Sequence, residues 1–215
     1  MNIASIEAGA SDARLREIYD TAAKLFHSQG YARTSMSDVA RALHLTKAGL
    51  YHHIESKEQL LFGVINYGLD LLEEQVVRSV MAMREPADRL RCLIRGHIQL
   101  ILQSRFREIT VILHENRTLK GALRAQVDAR KKRYILLLEE ILTDLRRRRP
   151  HAGVSPHVGA FALLGMINWI YQWYRPSGAV SQEELAEEFT RLFLNGYCGA
   201  APESGVPLSH RRERR

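Results

Sequence analysis

The chain has 215 residues, 46% of them hydrophobic, enough for one large domain or two small ones with packed cores. Two cysteines, Cys92 and Cys198, cannot form a disulfide framework, and the first residues lack the basic cluster and apolar run of a signal peptide, so the expected setting is a reducing cytoplasm. The net charge of +7 is unevenly placed: residues 1–72 carry 7 Lys/Arg against 8 Asp/Glu, residues 73–200 carry 20 against 14, and residues 201–215 carry 4 against 2. A DNA-binding N-terminal part must therefore act through a few well-placed donors, not through bulk charge.

Strand signals are nearly absent, with no alternating β-branched run and no Asn-Gly or Asp-Gly turn. Helical periodicity runs through the chain, so the expected fold is all-α with about nine or ten helices. Leu15, Ile18, Tyr19, Ala22, Leu25 and Phe26 mark a first helix from about Asp12 to Gln29, capped by Ser11 or Asp12 and stopped by Gly30. "TSMSDVARALHL" starts a short helix, with Ser37 expected as its cap. A tight turn at His44-Leu45 leads to a second short helix from Thr46, and Ser56 caps a fourth from Lys57. Further helices are expected near 69–83, 87–104, 106–116, 119–148, 156–174 and 182–197, the last capped by Ser181. The longest apolar stretch, "VGAFALLGMINWIYQWY", is interrupted by Asn168 and Gln172 and falls short of the roughly 20 apolar residues of a membrane span, so no membrane partner is expected.

Two short helices joined by a tight turn and braced by a long one read as a helix-turn-helix, whose second helix enters the major groove. Thr46, Lys47, Ala48 and Gly49 then form its first turn. Ala48 and Gly49 let the backbone approach the bases, and the Ala48 methyl can meet a thymine methyl. Lys47 reaches a guanine edge or a phosphate. Tyr51 and His53 present a hydroxyl and a ring nitrogen to phosphates. Thr34, Ser35 and Ser37 open the bracing helix, where hydroxyls and free N–H groups suit a phosphate, and Lys57 clamps the backbone.

These residues also carry a resemblance. "GYARTSMSDVARALHLTKAGLYHHIESKEQLL" resembles the DNA-binding domain of TetR-type transcriptional regulators over about residues 12–65. The resemblance implies that Tyr51, His53 and Lys57 meet phosphates. It also implies a homodimer on a palindromic operator, with residues 12–72 binding DNA, residues 73–200 binding an effector and dimerising, and 201–215 a disordered tail. The family commonly has glycine where this chain has His44, and histidine is a poorer occupant of positive φ.

Other constellations have simpler readings. His52 and His53 are helix neighbours about 100° apart, not the i, i+4 pair of a metal site, and no further ligand is spaced to join them, so neither metal nor cofactor is expected; for His52 a solvated or packed ring outweighs base contact. No nucleophile motif, P-loop or dinucleotide fingerprint is present, so no catalytic residue is assigned. Arg146 to Arg149 read as a solvated helix end. "NWIYQWYRP" places Trp169 and Trp173 at i, i+4, as core or dimer packing or as an effector pocket with Tyr174. The small-residue edge Gly159, Ala162, Gly165 and Met166 suits close approach of another helix. With "SQEELA", this segment is weakly similar to TetR-type regulators of fatty-acid, sterol or aromatic-acid degradation, which often answer to acyl-CoA thioesters. Independently, the basic charge of residues 73–200 suits a multiply phosphorylated ligand, with Arg175, Arg117, Lys120 and Arg124 as candidate phosphate partners. The alternatives are a neutral hydrophobic effector held by the aromatic rings alone, and an architectural DNA binder with no ligand.

Overall fold

The computed structural model describes residues 3–102, 115–148 and 154–197. The helix expected at 106–116, except for its end, and the tail at 201–215 lie outside the described residues. Helices make up the structure, with no strand among the described residues.

The first helix, α1 (Ile3–Gln29), runs past Ser11 and Asp12, so neither caps it. It ends where expected: Gly30 adopts φ +83° and its N–H donates to the Phe26 carbonyl at 3.0 Å. The next helix, α2 (Met36–Ala42), is capped by Ser35, not by Ser37. The Ser35 hydroxyl accepts from the Asp38 N–H, and the Asp38 carboxylate accepts from the Ser35 N–H, a reciprocal pair that needs the acid three residues on. These bonds hold the Asp38 carboxyl below its usual range. Thr46 caps α3 (Lys47–His53), accepting from the Gly49 N–H at 3.0 Å, and Ser56 caps α4 (Lys57–Leu72), accepting from the Gln59 N–H at 3.1 Å. Ile18, Ala22, Phe26, Val39, Leu50 and Leu61 pack into the core these four helices share.

The helix expected to start afresh near residue 69 is instead a continuation of α4. A π turn, Glu73–Val77, carries α4 into α5 (Arg78–Met81) without a loop. Beyond it, α6 (Pro86–Leu102) and the 28-residue α7 (Gly121–Arg148) are followed by α8 (Pro156–Asn168), the short α9 (Ile170–Trp173) and α10 (Gln182–Tyr197). Ser181 accepts from the Glu184 N–H and so caps α10. The single helix expected over 156–174 is broken at Trp169. A second core, around Leu93, Ile94, Ile98, Leu138, Ile141 and Leu163, joins α6, α7 and α8.

The long helix α7 spans both cores. Leu119, just before it, and Val127 are buried in the N-terminal core, whereas Leu138 and Ile141 belong to the second. It grips α4 at two levels. The Lys120 N–H donates to Glu58 Oε1 at 3.1 Å, and Arg130 donates to Asn66 Oδ1 at 2.9 Å and Asp70 Oδ1 at 2.7 Å.

Candidate DNA interface and ligand cavity

The α3 surface is built for a partner. Leu50, fully buried, anchors the helix, while Thr46, Lys47, Ala48, Tyr51, His52 and His53 are all exposed. Lys47 and Tyr51 stand one turn apart with Nζ 5.9 Å from the ring centroid, so cation and phenol share one side of the helix. Gly49 is half-buried, and a Cβ there would come within 3.2 Å of the capping Thr46 Oγ1. His52 and His53 meet edge to face at 5.6 Å. No group of three metal-ligating side chains occurs among the described residues.

The turn before α3 takes an unusual form for its sequence. His44 has φ +54°. The Leu45 N–H donates to the Ala40 carbonyl at 2.8 Å and the His44 N–H to the Arg41 carbonyl at 3.1 Å, the paired closure of a left-handed helix end. That closure fixes the direction of α3, and it puts a Cβ where glycine is usual.

Of the other expected DNA contacts, Ser35 is exposed and Ser37 half-buried at the start of α2. Thr34 is a correction. It is 1% exposed, and its hydroxyl donates to the Gly30 carbonyl at 3.0 Å, so it ties the α1–α2 turn together and does not offer its side chain outward. Lys57 does structural work as well: Nζ donates to the Ala32 carbonyl at 3.2 Å and lies 4.3 Å from the Tyr31 ring centroid.

Several hollows mark the surface. One, of about 670 Å³, is a groove between α1 and α4 whose lining includes Asp12, Glu55, Asp70, Glu73 and Glu74. So many carboxylates describe a solvated groove and not a pocket for an apolar ligand. A cavity of about 370 Å³ is different in character. Gly68, Leu69 and Leu72 of α4, His97 of α6, Lys131, Tyr134 and Ile135 of α7, and Phe161, Leu164, Gly165 and Asn168 of α8 enclose it. Most of that wall is apolar. Its polar groups are few: besides the Asn168 amide, His97 Nδ1 lies 3.0 Å from Tyr134 Oη, both rings being buried, and burial pulls the Lys131 amine down to about 8.

None of the residues expected to bind the effector, Trp169, Trp173, Tyr174, Arg175, Arg117, Lys120 and Arg124, lines this cavity. Trp169 and Trp173 are exposed, at opposite ends of α9, with Trp173 stacked on Phe189 of α10. Tyr174 is buried and donates to the Val180 carbonyl, and Arg175 turns back to the Tyr174 carbonyl. Arg117 and Lys120 stand by the N-terminal core, next to buried Leu119. Arg124 pairs with Asp128 at 2.6 Å, and its charge is felt by Lys131, two turns along the same side of α7. Tyr134 is legible in the sequence, on the stripe Tyr134, Leu137, Leu138, Ile141 and Leu145 that suits the long helix to be a packing partner or a pocket wall, whereas His97 and Phe161 were not found from sequence. A signal existed for one of them, because His97 takes a core position in the series Ile94, His97, Ile98, Ile101 of α6.

A capped helix-turn-helix mounted on a helical body with an apolar cavity defines a ligand-binding class of DNA-binding regulator. Residues 18–64 match the bacterial regulatory proteins of the tetR family, and residues 83–197 match the tetracyclin repressor-like C-terminal domain. The chain belongs to the TetR family and is a DNA-binding transcriptional regulator. It is similar to AibR, crystallised in complex with isovaleryl coenzyme A and operator DNA, with a TM-score of 0.78 and 46% identity over 83% of this chain and 97% of that one. PfmR, a TetR family regulator from Thermus thermophilus, superposes with a TM-score of 0.74 at 31% identity, again over 83% and 97%. The HTH-type transcriptional repressor KstR2 of Mycolicibacterium smegmatis is 24% identical over 191 residues, covering 85% of this chain and 90% of the relative.

Proposed function

We propose that the protein is a homodimeric repressor released from a palindromic operator by an acyl-CoA thioester. The observation that carries this reading is the apolar cavity walled on one side by α4, the helix that starts beside the recognition helix α3. A ligand there acts on the DNA-binding unit by favouring one position of α4 over another. The volume of about 370 Å³ suits a short acyl chain, and Lys131, with Arg124 beyond it, offers cations for phosphates outside the cavity. The similarity to AibR, a complex with an acyl-CoA and DNA, supports the same ligand class. An open cavity supports this over an architectural DNA binder with a filled core.

The outer face of α8 supports the dimer. Val158, Ala162 and Trp169, at i, i+4 and i+11 and off the cavity wall, are all exposed, as is Leu192 on α10. A twofold dimer through this face presents two α3 helices to two half-sites.

The test is fluorescence anisotropy on labelled DNA from upstream of the protein's own gene, at two salt concentrations, with and without isovaleryl-CoA. Salt-sensitive binding relieved by the thioester and not by free CoA is expected. Lys47→Ala is expected to weaken binding about tenfold and lower the salt slope by about 1. Binding that no thioester disturbs would sink the acyl-CoA reading and turn attention to neutral hydrophobic ligands.

A further inference from the structure

The cavity wall holds one polar feature that neither the fold nor the DNA-binding role requires. His97 and Tyr134 face each other from α6 and α7, 3.0 Å apart between Nδ1 and Oη, with ring centroids at 5.5 Å and nearly perpendicular planes. Both rings are buried, and both line the cavity. Among the described residues neither ring has another hydrogen-bond partner.

A count of hydrogens gives the consequence. Burial pulls the imidazole pKa down to about 4, so at neutral pH the ring carries one N–H. Burial also pushes the Tyr134 phenol far above its ordinary range, so it keeps its O–H. The pair therefore has two polar hydrogens and one bond between its members. If Tyr134 donates to Nδ1, the His97 Nε2–H is left over. If Nδ1–H donates to the phenol oxygen, the tyrosine hydrogen is left over. Either tautomer leaves one donor without a partner among the described residues, in a mostly apolar wall, which favours a ligand that brings an acceptor.

We propose that the His97–Tyr134 pair selects effectors by donating one hydrogen bond to a neutral carbonyl on an otherwise apolar ligand. Leu69, Leu72, Ile135 and Leu164 surround the apolar body, and the pair reads its one polar atom. Lys131 is a different kind of donor: its charge suits a phosphate or carboxylate more than a neutral oxygen. The inference rests on the cavity being the effector site. For an acyl-CoA, the atom read is the thioester oxygen.

The test compares two pairs of probes on the whole protein. Isovaleryl-CoA is set against its thioether, S-(3-methylbutyl)-CoA, by calorimetry. 4-Methyl-2-pentanone is set against 2,4-dimethylpentane by NMR titration. The carbonyl member of each pair is expected to bind at least about tenfold more tightly, because losing the acceptor leaves a buried donor unpaired. Tyr134→Phe and His97→Leu singly each free the remaining partner's hydrogen and are expected to keep much of the preference, whereas the double variant loses it. Equal binding of thioester and thioether would overturn the proposal while leaving the acyl-CoA reading intact. A ketone preference with neither CoA compound bound would uphold the donor and overturn the acyl-CoA reading. Full preference in the double variant would overturn the assignment to this pair, and no binding by any of the four probes would overturn both readings.

Discussion

The two units of this regulator reach order by different means. In the N-terminal unit each of α2, α3 and α4 starts on a hydroxyl that accepts from an N–H three residues on, from Ser35, Thr46 and Ser56. Local chemistry therefore sets the position of each helix before packing refines it, and the core beneath is filled. In the C-terminal unit α6, α7 and α8 enclose a hollow, and a buried histidine and tyrosine meet on its wall. The first arrangement favours a fixed surface. The second leaves room that α4 helps to wall.

The contrast can be tested by perturbing each side separately. The largest effect belongs to the cavity wall and to acid. His97 in the folded protein titrates at about 4, below the 6.5 of a free ring, so the unfolded chain binds more protons between those values. Its contribution is fully present above pH 6.5 and is lost as the pH falls to 4, by about 3 kcal/mol. Urea denaturation at both ends of that window, for the wild type and His97→Leu, is expected to show a shallower acid loss in the variant. Equal slopes would mean that carboxylates alone drive the loss.

A smaller effect is expected at the contact of α1 with α4. A Cβ on Gly63 would stand 2.2 Å from Cε1 of Tyr19, so Gly63→Ala forces the ring or the helix aside. A loss of about 1–3 kcal/mol is expected in thermal melts, with operator affinity falling and ligand affinity unchanged. A variant that lost both affinities equally would argue that the two units melt as one. The smallest effect has the opposite sign. His44→Gly removes the Cβ from a left-handed position, and a gain of about 0.5–1 kcal/mol is expected from the same melts. A loss instead would mean that the imidazole itself holds the turn.

Much of the N-terminal unit was legible because its signals are local. The stop at Gly30, the caps Thr46 and Ser56, and the outward set Lys47, Ala48 and Tyr51 follow from short-range chemistry. The cap at Ser35 was missed for Ser37, although Asp38 three residues after Ser35 was the deciding feature. The π turn was not legible, because Glu-Glu-Gln-Val-Val suits an ordinary helix and the extra residue per turn arises from tertiary packing, with Val76 buried against Gly96 of α6. The sequence put the two tryptophans on one helix, and the break at Trp169 was not legible in it. The cavity draws on four helices, and nothing along the chain states which of their faces converge.

The unbroken passage from α4 through the π turn to α5 has a mechanical meaning. A segment joined by loops damps motion, whereas a continuous rod transmits it. From the cavity wall at Leu69 to Lys57 is twelve residues, about 18 Å of helix. A tilt of about 6° at the cavity end thus sweeps the Lys57 end through about 2 Å. Under the proposed function, a ligand that moves one wall by a fraction of a side chain becomes, at the other end of this rod, a displacement comparable to a hydrogen bond's tolerance at Lys47 and Tyr51.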